Sequence, residues 1–335
     1  MKTIPSSHVV LGGAGFIGHH LARRLSGLFK EVVVFDKDRT NLDLYRETEW
    51  GKRILWHAHD IAHGLDCYQI RENDVVWALA ADMGGMGYIG RPENDFNVAT
   101  ENVLINAITA RQAQVSEAAG VFYASSACVY NETKQMTTVI RPLAEEDAYP
   151  AQPDTIYGWE KLYSEQVYSA LGRTGIPTRI ARFHNVFGPE GTWRGGREKA
   201  PAAMCRKVAE AKFSNQHVIE VWGDGHQRRS FLYIEDALDG IMELMLYSDL
   251  EVPVNIGSPV DISINELVEM VANIANWEIE IEHIEGPLGV RGRNADITLA
   301  REALSWAPMT SLRDGMALTY AWIEQQVLTA LREER

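Results

Sequence analysis

Tyr157 and Lys161, the ends of Tyr-Gly-Trp-Glu-Lys, are four residues apart in the chain. Four residues is about one helical turn, so a helix here puts phenol and ammonium on one face. A free phenol titrates near ~10 and is a poor base at neutral pH; a neighbouring ammonium favours the phenolate and brings that value down. The same lysine can hydrogen-bond a ribose. Tyr-x-x-x-Lys also occurs by chance on solvated helices, so its surroundings decide. About thirty residues earlier runs Tyr-Ala-Ser-Ser-Ala-Cys-Val-Tyr, Tyr123 to Tyr130, at the end of an apolar strand-like run. Parallel α/β sheets place ligands at the carboxyl ends of their strands, which makes Ser126 and Cys128 candidates. A lone cysteine near a strand end is more often a small buried hydrophobe, and Cys67 and Cys205 are expected to pack.

A second constellation lies near the start, where Gly-Gly-Ala-Gly-Phe-Ile-Gly, Gly12 to Gly18, follows an apolar strand and leads into a helix. A tight turn of this kind brings backbone N–H groups and a helix N-terminus against a pyrophosphate. Glycines alone are a weak signal. Here Asp36 follows Gly18 by 18 residues at the end of the second apolar run. A carboxylate there accepts from an adenosine ribose and repels a 2′-phosphate, favouring NAD over NADP, although Lys37 and Arg39 pull the other way.

The third is a reversal of charge. The chain carries 32 basic and 46 acidic residues, a net −14, yet Arg194, Arg197, Lys199, Arg206 and Lys207 stand against the single acid Glu198 between 194 and 207. A nucleotide diphosphate suits such a patch; a solvated basic helix is the plainer alternative.

The elements that must position these groups are legible. Short runs rich in Val, Ile and aromatics at His8–Gly12, Val32–Asp36, Ile54–His57, Val75–Ala80, Val121–Ser125 and Thr178–Phe183 read as strands buried on both faces. Helical segments near Phe16–Leu28, Pro92–Ala113 and Thr155–Leu171 alternate with them, which makes a parallel, doubly wound α/β sheet. The second half mixes turn-rich stretches (Gly188–Gly196, Gly223–Gly225, Gly286–Gly292) with helices at Ile234–Tyr247 and Ile264–Ala275, and returns to the sheet at Phe231–Gly257. The acidic balance argues against nucleic acid or an anionic membrane as partner. Three unpaired cysteines and histidines without ligand spacing leave no disulfide framework and no expected metal site, His57 and His59 being structural. With no signal-peptide core and no long apolar run, a cytoplasmic location is the default expectation.

Together the glycine turn, Asp36, Ser126, Tyr157 and Lys161 resemble the extended short-chain dehydrogenases/reductases, the NAD-dependent epimerases and dehydratases. Longer stretches are similar to the GDP-mannose 3,5-epimerases within that family: Ala80 to Tyr88 (AADMGGMGY), YASSAC, RFHNVFGP, Gly191 to Ala203 (GTWRGGREKAPAA), WGDGHQRRSF and Gly289 to Asn294. The likeness runs from Gly12 to about Val327. It implies a Rossmann-type doubly wound parallel sheet, 1–184 plus 230–257, and a smaller nucleotide-sugar-binding lobe, 185–229 plus 258–335. NAD would lie against Gly12, Gly15, Phe16, Ile17, Gly18, Asp36 and Asp60, with Tyr157 and Lys161 at its nicotinamide end. Ser126 would hydrogen-bond the sugar, and Cys128 and Lys199 would be the acid–base pair for carbons 3 and 5. Gly84, Gly85 and Met86 would border the hexose, with Asn185 at the sugar–phosphate and Glu198 close by. Lys207, Gln227 and Arg293 would hold diphosphate or sugar, with Arg291 as a neighbour. The implied activity is epimerisation of GDP-mannose through a 4-keto intermediate by a homodimer. Cys128 stands where related dehydratases carry a glutamate after an aspartate, which counts against dehydration. A 4-epimerase, an enzyme for GDP-heptose and a non-catalytic NAD sensor are the alternatives.

Overall fold

Seven short strands carry the architecture: β1 (Ser7–Leu11), β2 (Glu31–Asp36), β3 (Leu55–Ala58), β4 (Asp74–Ala78), β5 (Gly120–Ser126), β6 (Thr178–Phe183) and β7 (Val254–Ile256). In the computed structural model, which describes residues 5, 7–64 and 70–333, they form one sheet in the order β7-β6-β5-β4-β1-β2-β3. Every pairing in it is parallel. Burial on both faces explains why the strands lack polar alternation: β1, β4 and β6 are buried at every residue. The chain builds outward from β1 through β2 and β3, then crosses back to β4 and builds the other way. The reversal opens a crevice at the carboxyl ends of β1 and β4, where sheets of this kind bind ligands.

Three helices complete that crevice. Helix α1 (Phe16–Leu28) starts directly from the glycine turn. Helix α2 (Pro92–Val115) begins with proline, whose fixed φ suits a first helical turn, and carries Glu93 and Asp95 there. Helix α3 (Ile156–Gly172) is capped by Thr155, whose Oγ1 accepts from Gly158 N at 3.2 Å.

The lobe packs α4 (Ala200–Ser214), Ile264–Ala275 and Leu312–Glu333 around Val208, Leu267, Val271, Met316 and Ile323. Cys205 is buried there as expected, while Cys67 lies outside the described residues. Two expectations need correcting. Within Phe231–Gly257 only Val254–Ile256 joins the main sheet; Leu232–Tyr233 pairs instead with Val186–Phe187. Ala295 to Trp306, assigned from sequence to the lobe, packs on the sheet body: Ile297, Ala300, Leu304 and Trp306 share a core with Val254 and Ile256, and Trp306 Nε1 donates to Asp236 O at 3.1 Å. Among the described residues no helix is long and apolar enough to cross a membrane.

Candidate active site

One cavity of about 1300 Å³ runs from the glycine turn, past the ends of β4 and β5, to the lobe. Pockets for a single small ligand are usually about 300–1,000 Å³, so this one has room for two ligands end to end. It is lined by Gly12, Gly15, Phe16, Ile17, Gly18, Asp36 and Asp60 at one end, and by Ser126, Cys128, Tyr157 and Lys161 midway. Gly84, Gly85, Met86, Asn185, Glu198, Lys199, Lys207, Gln227 and Arg293 line the remainder. Arg291 is not in the lining; it forms a two-pronged ion pair with Asp224 at 2.9 and 2.8 Å.

At the first end the backbone must come close. Gly12 has φ +83°, and a Cβ on it would sit 2.7 Å from the Ala80 backbone; one on Gly18 would sit 2.1 Å from Gly12 O. Glycine is therefore required at both positions for the helix to start on the turn. The Asp36 carboxylate accepts from Ala14 N and Asp38 N, both at 2.9 Å. Burial raises its titration while those N–H groups pull it back. Lys37 leans away toward Asp60, 3.8 Å from its Oδ2.

Midway, β5 ends in a tight turn, Ala127–Val129, where Ser126 Oγ accepts from Cys128 N at 3.2 Å. Helix α3 lies directly on that turn, for a Cβ at Gly158 would meet Cys128 O at 2.2 Å. The close approach sets Tyr157 beside Ser126 and Cys128. Lys161, buried one turn on, holds its ammonium 5.7 Å from the Tyr157 ring centroid and donates to Ala124 O at 3.0 Å. The expected lowering of the phenol does not occur in this state. Burial pushes Tyr157 well above its ordinary value, Cys128 and Glu160 add to the rise, and the Ser126 hydroxyl pulls back. Lys161 itself is lowered by burial, with Glu160, Glu165 and Cys128 opposing.

At the far end three cations face the sulfur. Arg293, 7% exposed, donates from Nη1 to Cys128 Sγ at 3.3 Å and from Nε to Gln135 Oε1 at 2.5 Å. Its Nη2 lies 3.7 Å from Asp154 Oδ1. Burial lowers the Arg293 guanidinium, but Cys128 and Asp154 more than compensate. Lys199 caps the start of α4, and its ammonium is lowered by burial and pulled back up by Cys128. The third cation, Arg229, was not singled out from sequence. Burial and Arg293 lower it to about 9, against Asp154 and Cys128. The arginine pair Arg228-Arg229 was visible, but only strand alternation decides that Arg228 pairs with Asp261 outside while Arg229 faces the cavity.

Several expected ligand residues have other partners as well. Glu198 accepts from Gly196 N at 2.7 Å and Arg206 at 3.2 Å, so it braces its own loop. Asn185 donates to Ser230 O at 3.0 Å and Lys207 to Glu220 O at 2.7 Å. Gln227 donates to Trp222 O at 3.1 Å, leaving its Oε1 buried and unpaired at the cavity wall.

Residues 8–257 match the model of the NAD-dependent epimerase/dehydratase family. The chain belongs to that family. Among relatives, it is 42% identical to GDP-mannose 3,5-epimerase of Arabidopsis thaliana over 95% of this chain and 82% of that one. It is 31% identical to UDP-glucuronic acid decarboxylase 5 of the same plant, over 92% and 87%. The fold superimposes on UDP-glucose 4-epimerase of Thermotoga maritima with a TM-score of 0.83 at 21% identity, covering 96% of this chain and 99% of that one. A UDP-glucuronic acid 4-epimerase of Bacillus cereus, in complex with UDP-glucuronic acid and NAD, gives 0.80 at 24%, over 96% and 99%.

The family's cofactor fits the cradle of this epimerase/dehydratase chain. Gly12 and Gly18 leave no space for a side chain between turn and helix, so N–H groups at the start of α1 can meet a pyrophosphate. Asp36 stands at the end of β2 for the ribose, and Lys161 lies beside Tyr157 for the second ribose.

Proposed function

We propose that this chain epimerises GDP-mannose at carbons 3 and 5 through a 4-keto intermediate, giving GDP-L-galactose, GDP-L-gulose or both. The observation that carries this is Cys128 and Lys199 lining one cavity beside Tyr157, near enough that the sulfur acts on the Lys199 ammonium and on the Tyr157 phenol. Identity of 42% over nearly the whole chain with GDP-mannose 3,5-epimerases supports the substrate.

Bound NAD supplies the hydride acceptor and donor for carbon 4, and its oxidised ring brings a positive charge that opposes the burial of the Tyr157 phenolate. Tyr157 takes the proton of the carbon-4 hydroxyl, with Ser126 holding the sugar oxygen. A ketone at carbon 4 acidifies the hydrogens on carbons 3 and 5. Inversion at either carbon needs a base on one face of the ring and an acid on the other. Cys128, its sulfur accepting a hydrogen bond from Arg293, is the proton acceptor of this proposal, while burial makes the Lys199 ammonium a readier donor. Arg194, Lys207 and Arg229 supply cations for the diphosphate. The decisive experiment is incubation with GDP-mannose in deuterium oxide, scoring label at carbons 3 and 5 and new epimers. Turnover without label at either carbon overturns the assignment.

A homodimer is part of the same proposal. The paired helices α2 and α3 expose Phe96, Val103, Leu104, Trp159 and Tyr163, a set of large apolar groups that a two-fold contact would cover. Val98 of α2 points inward instead and packs with Tyr157 and Ile89.

A further inference from the structure

Within the loop carrying Lys199, Glu198 is the brace, accepting from Gly196 N and from Arg206, and neither bond reaches the Lys199 side chain. Gly195 and Gly196 adopt φ of +95° and +86° with open space around them. The Lys199 ammonium makes no hydrogen bond among the described residues. Its position is therefore set by where the backbone of 197–199 is held.

That backbone docks on the glycine-rich loop after β4. Gly85 N donates to Arg197 O at 3.0 Å, and a Cβ on Gly85 would lie 2.5 Å from Glu198 O. The Arg197 side chain then reaches across. Its Nη1 donates to Asp82 Oδ1 at 2.7 Å and to Met83 O at 3.2 Å, and its Cζ lies 3.7 Å from the centroid of the Tyr88 ring. Tyr88 OH donates to the other oxygen of Asp82 at 2.8 Å. Asp82 is itself anchored to α2. Buried Asn102 accepts from Asp82 N at 2.6 Å and donates to Asp82 O at 3.1 Å.

We propose that Arg197, Asp82 and Tyr88 form a clasp that holds Lys199 across the sugar cavity from Cys128. This rests on Lys199 being a proton donor to the sugar. The three are positioning residues. A partly exposed ion pair alone would hold weakly, but here the guanidinium is also stacked on an aromatic face and bound to a carbonyl, which fixes its plane. The clasp joins two loops 115 residues apart in sequence, so the acid–base pair forms only once both loops have docked.

The test uses the full chain with its bound cofactor. Two signals are followed with GDP-mannose in deuterium oxide: reduced-nicotinamide absorbance for oxidation at carbon 4, and deuterium in the sugar for proton transfer. Misplacing a reacting group by about 1 Å can cost on the order of 100-fold. Arg197→Ala should therefore lower deuterium exchange by at least about tenfold while leaving the absorbance change in place. In a Lys199→Ala background the same substitution should take nothing further, because the group it positions is gone. Asp82→Asn, which keeps the side chain's size, should lower exchange in the same direction, and Arg197→Lys should restore part of it. Native exchange in Arg197→Ala overturns the clasp. So does a further large loss on top of Lys199→Ala, or a proportional loss of oxidation and exchange together with a lowered Tm, which would make Arg197 structural. Should the wild-type protein neither oxidise nor exchange GDP-mannose, the functional assignment itself fails and the clasp falls with it.

Discussion

Arg293 Nη1 stands 3.3 Å from Cys128 Sγ, with Nε hydrogen-bonded to Gln135 and Nη2 3.7 Å from the Asp154 carboxylate. Two hydrogen bonds fix that guanidinium, and the one it gives to sulfur is charge-assisted and orients Cys128 toward the cavity as the proton acceptor of the proposed pair. Lys199 on the same cavity is the complementary donor. Separate replacement of Cys128 and Lys199 by Ala should therefore spare oxidation at carbon 4 and remove most deuterium exchange at carbons 3 and 5. General acid–base groups typically contribute ~10²–10⁴-fold. Near-native epimerisation by Cys128→Ala would make this cysteine a packing residue.

Tyr157→Phe removes the hydroxyl while keeping the ring that packs with Ile89 and Val98. Both oxidation and exchange should be lost, because no carbon acid exists until carbon 4 is a ketone. Exchange surviving in Tyr157→Phe would show that another group takes the carbon-4 proton. The fold should be undisturbed, and an unchanged Tm checks that.

Much of this site is legible in the chain because its local rules act over short distances. The Gly12–Gly18 turn and the Tyr157–Lys161 helix obey constraints spanning fewer than about ten residues, and Asp36 follows its turn by only 18; the structure puts the turn before a helix, Asp36 at a strand end and the pair on a helix. What escaped depends on partners far away in sequence. Asp82 and Arg197 meet only because two loops dock. The direction of the Tyr157 shift follows from its burial, which no Tyr-x-x-x-Lys spacing reveals. Arg229 and Asp154 take their meaning from Arg293, over a hundred residues from Asp154.

Cofactor identity follows from two carboxylates. Asp36 would face a 2′-phosphate, and Lys37, the cation that could offset it, is drawn toward Asp60. Protein denatured after purification should release NAD(H), identified by chromatography. Release of NADP(H) would show that Lys37 and Arg39 outweigh Asp36.

The exposed side chains of α2 and α3 lead to a test of assembly. Light scattering at micromolar concentration should give twice the chain mass, and Phe96→Glu, at a position 76% exposed, should shift it toward the monomer without loss of helix content. A monomeric wild-type protein removes the dimer.

Stability should fall steeply in mild acid, for a reason set by three buried histidines. His8 is lowered to about 4, mainly by burial, with a backbone acceptor and Asp74 opposing. His184, fully buried with Nε2 2.9 Å from Asn255 Oδ1, is lowered by burial to about 3. Burial and neighbouring His19 take His20 to about 3. Between pH 6.5 and about 3–4 the unfolded chain binds protons at these positions and the native protein does not, so stability rises with pH across that window and is lost as pH falls. Glu190 acts in the same direction: the hydrogen bond from His19 holds it at about 2, and the stability this gives above pH 4.5 is lost as pH drops toward that value. One pH unit is ~1.4 kcal/mol per group, so the three histidines together should take on the order of 4–6 kcal/mol by pH 5, a large part of a typical domain's stability. Thermal unfolding at pH 7, 6 and 5 should show Tm falling progressively, and His184→Gln should lessen the slope of that fall even where it lowers Tm itself. A Tm that stays level from pH 7 to 5 would mean that these imidazoles accept protons in the folded protein, against the burial that holds them neutral.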